Sequence, residues 1–171
     1  MDICHAKSTT EIATIRELFI EYAQELQIDL CFQNFNQELA SLPGQYAAPE
    51  GALLLALDHG KAAGCVALRK QAEGICEMKR LYVRPAFRGQ RIGRSLVSAI
   101  IKAACRANYH LMRLDTLASM KTAIALYHSV GFRPTDPYYH NPLEAPLFLE
   151  LNLTGFSIER HAHPNQAGEL G

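Results

Sequence analysis

Apolar and polar residues follow two different periods along this chain, and the switches between them divide it into elements. Ile12, Ile15, Phe19, Tyr22 and Leu26 recur at helical spacing, giving one apolar stripe that runs to about Gln27. Just before it, Ser8-Thr-Thr-Glu11 has the capping-box pattern, worth ~1 kcal/mol for the cap. Residues 2–7 form a short first strand, and residues 35–42 a second, shorter helix ended by Pro43-Gly44. Residues 52–57 and 61–69 flank Asp58-His-Gly60, the signature of a hairpin turn with His59 at a solvated tip, and a third antiparallel strand over 74–83 follows. On that strand Glu77, Lys79, Leu81 and Val83 share one face and Met78, Arg80 and Tyr82 the other, unless a bulge breaks the parity.

A second stripe, Ile92, Leu96, Val97, Ile100, Ile101 and Ala104, predicts an amphipathic helix to about Asn108. Residues 111–116 read as a strand parallel to the one before that helix, which completes a β-α-β crossover. A helix over 120–130 with Ser119 as its cap and Gly131 at its end, then strands over 132–134 and 147–153, complete the pattern.

The stretch between the third strand and the second stripe carries chemistry. Pro85 ends the strand, and Arg88-Gly-Gln-Arg-Ile-Gly93 delivers the chain to the first turn of the helix. A helix N-terminus presents unpaired N–H groups and a partial positive charge, so it favours an anion. Gly89 and Gly93 let the backbone curl and come close to a ligand, and Arg88, Arg91 and Arg94 add positive charge. The inference is a phosphate or pyrophosphate. Neither the Gly-Lys-Ser/Thr ending of a nucleotide-triphosphate loop nor a Gly-x-Gly-x-x-Gly dinucleotide fingerprint is present.

What Arg88 to Gly93 resembles is the Arg/Gln-x-x-Gly-x-Gly/Ala loop of the GCN5-related N-acetyltransferases, the GNAT family, which holds the pyrophosphate of acetyl-coenzyme A. Met78-Lys-Arg-Leu-Tyr-Val-Arg-Pro85 is similar to the family's fourth strand, and Ala123-Ile-Ala-Leu-Tyr-His-Ser-Val-Gly-Phe132 to its later helix and following strand. Arg91 departs from the pattern, standing where the family has its first glycine; a non-glycine residue there is expected to take ordinary helical or extended backbone and to reshape the loop.

The resemblance implies an α/β chain with the acyl-CoA N-acyltransferase (GNAT) fold, a mixed, mostly antiparallel central sheet flanked by helices. It implies one domain over residues 1–153, followed by a polar tail over 154–171. It also implies an acetyl-CoA-dependent N-acetyltransferase, with acetyl-CoA as cosubstrate and no metal. The coenzyme would be held by Leu81, Tyr82 and Val83 of the bulged strand and by Arg88, Gly89, Gln90, Arg91, Ile92, Gly93 and Arg94 of the loop. Backbone donors near Leu81 to Val83 would polarise the thioester carbonyl, an effect worth roughly 3 to 4 kcal/mol in barrier height. Tyr127 occupies the place of a family tyrosine that protonates the leaving thiolate; a purely structural tyrosine on the face of Ala123 and Ile124 is the alternative.

Glu77 is a candidate base, directly or through a water, against the alternative of a surface carboxylate paired with Lys79 or Arg80. Tyr22 is either core or part of the acceptor pocket that the first helix lines in the family. The aromatic loop Asp136-Pro-Tyr-Tyr-His-Asn-Pro142 offers Tyr138, His140 and Asn141 as hydrogen-bonding groups for the acceptor, with a structural role for His140 as the alternative.

Composition narrows the rest. Among 171 residues, 49% hydrophobic content supports a folded globular domain. Seventeen basic and 17 acidic residues cancel, so nucleic acid and anionic membrane are not expected as partners. The five cysteines lack a Cys-x-x-Cys pair and read as buried free thiols of a reducing compartment. With no signal-peptide core and no apolar run of the ~18 to 20 residues a membrane span needs, the expected location is cytoplasmic. A neutral surface favours a small amine or amino acid as acceptor. A protein N-terminus or lysine is the second reading, and a non-catalytic coenzyme A-binding sensor is a third; dimers are common in the family, which admits a homodimer.

Overall fold

The computed structural model describes residues 1–27, 34–143 and 145–156. Cys31 and most of the expected polar tail lie outside the described residues. Seven strands form one sheet: β1 (Asp2–His5), β2 (Ala52–Asp58), β3 (Lys61–Ala72), β4 (Ile75–Val83), β5 (Leu111–Leu117), β6 (Arg133–Pro134) and β7 (Pro146–Asn152), in the spatial order β1-β2-β3-β4-β5-β7-β6. Among the described residues only β4 and β5 run parallel; the other neighbouring pairs are antiparallel. The helices are α1 (Thr9–Leu26), α2 (Phe35–Ser41), α3 (Ile92–Arg106) and α4 (Lys121–Val130). Among the described residues no helix is long and apolar enough to cross a membrane.

Local chemistry explains most boundaries. Ser8 and Glu11 form the capping box, each side chain bonded to the other residue's backbone N–H. His59 and Gly60, both with positive φ, make the two-residue turn between Asp58 and Lys61 that right-twisted strands favour. Gly131, at φ 113°, ends α4. One expectation is corrected: α4 begins at Lys121, its cap position is Met120, and no side chain caps it, so Ser119 does not serve as the cap. The Ser119 carbonyl instead accepts from the Lys121 N–H at 2.9 Å.

The sheet is buried on both faces. Val66, Leu68, Cys76, Met78, Met112 and Leu114 pack against Leu96, Val97 and Ile100 of α3 and Tyr127 of α4. Leu53, Leu55, Cys65, Ala67 and Tyr82 pack on the other face against Ile15, Leu18 and Phe19 of α1 and Phe35 of α2. Burying a large apolar side chain of this kind stabilises by roughly 1.5 to 3 kcal/mol, so each helix is fixed mainly by the face it covers. The described cysteines, Cys4, Cys65, Cys76 and Cys105, are free thiols.

The interior strands β3 and β4 approach each other closely where their register shifts. Cys65 faces Tyr82 but Ala67 faces Lys79, so one residue of β3 stands opposite two of β4. Gly64 lies beside this bulge, and a β-carbon there would overlap the Tyr82 carbonyl oxygen. Gly64→Ala is therefore expected to destabilise the fold by about 1 to 3 kcal/mol, read as a lower urea midpoint.

Candidate active site

β4 and β5 pair over three positions only, Ile75 with Leu111, Cys76 with Met112 and Glu77 with Arg113. Beyond them the strands part, and a cleft of about 680 Å³ opens between Leu81–Val83 on one side and the start of α4 on the other. The first turn of α3 and the end of α1 complete its walls, through Ile92, Gly93, Arg94, Tyr22 and Glu25. Inward, between the two strands, lies a narrow recess of about 40 Å³ lined by Tyr22, Lys79, Arg80, Asp115, Thr116 and Tyr127, among others.

The bulge on β4 shapes both cavities. Its extra residue is Arg80, at φ 57°, a left-handed conformation that costs a non-glycine residue about 1 to 2 kcal/mol. Across the bulge the parity of the strand reverses: Met78 packs toward α3, yet Tyr82 packs toward α1. Lys79 and Arg80 both line the recess, whereas uninterrupted pleating would send them to opposite faces. Arg80 is 5% exposed, and Glu38 of α2 holds its guanidinium through Nε at 3.0 Å and Nη2 at 2.7 Å. The guanidinium also lies 5.1 Å from the Phe35 ring and 6.0 Å from that of Tyr22. Tyr46 donates its hydroxyl to Glu38 at 2.8 Å, and burial together with that carboxylate pushes the Tyr46 phenol well above its ordinary value.

At the mouth, the first bond of α3 runs from the Ser95 N–H to the Arg91 carbonyl at 3.1 Å, which leaves the N–H groups of Ile92, Gly93 and Arg94 outside the helical ladder. Arg91 sits at the cap position with φ 62°, ψ 12°. This corrects the expectation of ordinary helical or extended backbone at that position: Arg91 adopts the left-handed conformation that a glycine takes readily. Gly89, at φ 80°, supplies the other left-handed residue, whereas Gly93 has no positive φ and leaves room for a close approach. Arg88, Gly89, Arg91, Ile92, Gly93 and Arg94 all line the cleft; Gln90 is exposed and does not. Arg88 donates to Glu25 of α1 at 2.6 Å and to the Val83 carbonyl at 2.9 Å, and Arg94 to the Ser129 hydroxyl at 3.2 Å.

Tyr127, 6% exposed, faces the recess and packs 5.8 Å from the Phe132 ring. No hydrogen bond to a described residue occupies its hydroxyl, and burial pushes its phenol far above the ordinary value, so it stays protonated. Tyr22 lines both cavities, and burial pushes its phenol up to about 12, against the opposing pull of the Arg80 cation.

The other residues expected at the acceptor lie deeper or outside. Glu77 is 1% exposed and lines neither cavity; Arg69 holds one carboxylate oxygen at 2.6 Å and the Tyr138 hydroxyl the other at 2.9 Å. Glu77 is therefore buried rather than a surface carboxylate, although the expected pairing with Lys79 is present as an ion pair at 3.8 Å, and its oxygens anchor Arg69 and the aromatic loop. Asn141 is engaged in the same way, donating to Asp115 at 3.2 Å and to the Tyr139 hydroxyl at 3.0 Å while accepting from the Leu143 N–H. His140 is exposed and lines neither cavity.

Asp115 joins these groups. It accepts from Lys79 at 3.0 Å, from Tyr139 at 2.7 Å and from Asn141. Burial opposes its charge, but Lys79 and the Tyr139 hydroxyl outweigh that and hold its carboxyl below the usual range. Lys79, Arg80 and Asp115 were not singled out as site residues from the sequence. The available signal was an adjacent Lys-Arg pair, two residues after Glu77, inside a strand whose other residues are apolar or aromatic, where charges are rarely buried without partners.

Residues 12–132 match the acetyltransferase (GNAT) family. An uncharacterized N-acetyltransferase of Schizosaccharomyces pombe is 42% identical over 156 residues, covering 90% of this chain and 96% of that protein. Among solved structures, a GNAT-family acetyltransferase from Staphylococcus aureus shares the fold, with a TM-score of 0.74 at 20% identity over 89% of this chain and 98% of that one. A GNAT-family acetyltransferase from Elizabethkingia anophelis with acetyl-CoA bound is 27% identical, with a TM-score of 0.54 over 65% of this chain and 81% of that one.

The left-handed backbone at Arg91 yields a direct test. Arg91→Gly relieves the clash of the β-carbon, which outweighs the greater freedom of glycine in the unfolded chain. The variant should be as stable as the parent or up to about 1 kcal/mol more stable, measured by urea unfolding, whereas Arg91→Ala should show no such gain.

Proposed function

The chain belongs to the GNAT acetyltransferase family and is an acetyl-CoA-dependent N-acetyltransferase, and we propose that it transfers the acetyl group directly to the primary amine of a small molecule or amino acid, with Tyr127 as the general acid. The observation that carries this reading is the Tyr127 hydroxyl in the charged recess, which hydrogen-bonds to no described residue.

The donor would lie in the large cleft. The free N–H groups of Ile92, Gly93 and Arg94, with Arg88 and Arg91 beside them, suit a pyrophosphate, and Leu81, Tyr82 and Val83 offer strand backbone along the parting edge. The amine attacks the thioester carbonyl, forming the C–N bond while the carbonyl electrons move to oxygen; when the intermediate collapses, the C–S bond breaks and the pair leaves on sulfur. Backbone donors aimed at the oxyanion would stabilise that intermediate. Tyr127 gives its proton to the thiolate and is reprotonated from solvent, and a water takes the amine's proton, because Glu77 is already engaged. Burial raises the Tyr127 phenol and keeps it protonated, and removal from water disfavours a thiolate beside it in the same way. The recess is narrow and walled by buried charged side chains, which favours a small acceptor over a polypeptide segment.

A thermal-shift titration with acetyl-CoA, coenzyme A and ATP tests the donor site, with selective stabilisation by the two coenzymes following RT ln(1 + [L]/Kd). In thiol-release assays Tyr127→Phe should lower kcat about hundredfold or more while the acetyl-CoA shift stays within about twofold in Kd; normal turnover would remove the tyrosine from the reaction. Arg88→Ala should instead weaken acetyl-CoA, and unchanged affinity would rule out its contact with the phosphates.

A further inference from the structure

Resting on that transfer reading, we propose that the acceptor carries a carboxylate beside its amine, as an amino acid does, and that Lys79 is the side chain that takes it. Lys79 is 7% exposed and lines the recess together with Tyr127. Its ammonium has three N–H donors. Among the described residues one of them meets Asp115 at 3.0 Å, while the nearest Glu77 oxygen lies at 3.8 Å, beyond hydrogen-bond reach. Donor capacity on a buried cation therefore remains at the wall of the cavity.

The surrounding charges leave that capacity available. Glu77 is matched by Arg69 at 2.6 Å and Glu38 by Arg80 at 2.7 Å. Asp115, the carboxylate that Lys79 does serve, also receives the Tyr139 hydroxyl and the Asn141 amide, so Lys79 is not its sole support. The bulge brings Arg80 to the same recess, where Glu38 holds it, and Asp115 lines the recess as well, so the charges there are matched. What stays unmatched is hydrogen-bonding capacity: the spare N–H donors of Lys79 suit a carboxylate, which accepts, and not an ammonium, which only donates.

The test is a thiol-release panel on the full chain in which each L-amino acid is paired with its carboxamide, alongside simple primary amines and a short peptide with a free N-terminus. For the preferred side chain the acid should exceed its amide in kcat/KM by roughly tenfold to hundredfold, the range for losing a hydrogen bond to a charged partner. An α-amino amide is less basic than the free amino acid, so such a preference is not a protonation effect. In Lys79→Met the acid-to-amide ratio, which cancels any general loss of activity, should collapse toward one. Because that change leaves Asp115 without its cation, Lys79→Met combined with Asp115→Asn provides the same reading if the single variant does not fold. Equal use of acid and amide by the parent, or a ratio that survives in both variants, overturns the proposal. Turnover of amines or the peptide but of no free amino acid overturns it while leaving acetyl transfer intact. Stabilisation by acetyl-CoA with no turnover of any acceptor overturns the transfer reading and this proposal together.

Discussion

Two parallel strands that stop pairing after three residues leave backbone N–H and C=O groups facing a gap, and the interior of a protein tolerates such groups only where something else occupies or spans the space. Each strand is anchored on its far side, β5 along β7 over seven residue pairs and β4 along β3 through the bulge. The gap itself is pinned by side chains. Continuing the β4–β5 register past its last backbone pair, Glu77 with Arg113, would bring Lys79 opposite Asp115, and there an ion pair of 3.0 Å stands where a ladder bond would otherwise be. Tyr138 and Tyr139, adjacent in sequence, bind one carboxylate on each strand, Glu77 and Asp115, and so hold both strands from the aromatic loop.

Holding the strands apart in this way has a thermodynamic consequence. Burying charges is unfavourable unless each is paired and hydrogen-bonded, and a well-packed apolar alternative is often as stable. Here the buried groups balance: Arg69, Lys79 and Arg80 against Glu77, Asp115 and Glu38, with tyrosine hydroxyls and the Asn141 amide filling further acceptor positions. An apolar substitute would allow the strands to zip together and close the recess. Two arginines held at positive φ, Arg80 at the recess and Arg91 at the helix cap, place backbone strain at the two ends of the cleft, which is where strain persists when the surrounding contacts over-determine it.

The donor half of this arrangement was legible because its determinants are local. The Pro85 stop, the Arg88 to Gly93 turn, the stripe of α3 and the capping box at Ser8 each lie within a few residues of what they specify, and the structure follows them closely. The acceptor half was not, because its determinants are pairs far apart in the chain: Arg80 with Glu38 across 42 residues, Lys79 with Asp115 across 36, Tyr138 with Glu77 across 61. No periodicity encodes such pairs. The same gap explains why Glu77 read as a candidate base or a surface carboxylate and Asn141 as a hydrogen-bonding group for the acceptor: both look polar and available until their partners are in place. Arg91 misled for a different reason. Backbone preference alone excludes a left-handed arginine, yet the turn into α3 imposes that conformation, and the cost of about 1 to 2 kcal/mol is small beside the burial of Ile92, Leu96 and Val97 that follows from it.

This contrast between local and long-range determinants also divides the chemistry. The wall of the large cleft combines strand backbone at Leu81–Val83 and the terminus of α3 with Arg88, Arg91 and Arg94. The recess is made of named side chains in a charge-balanced set, where one replacement alters both the local potential and the width of the gap between β4 and β5. Tyr127 lines the recess: it is fixed by packing from α4 against Phe132, on the α3 face of the sheet, and no described residue hydrogen-bonds its hydroxyl. On the proposed reading, acceptor preference would follow from the buried ionic groups of β4 and β5, which lie apart from the α3 terminus and could change without altering the backbone there.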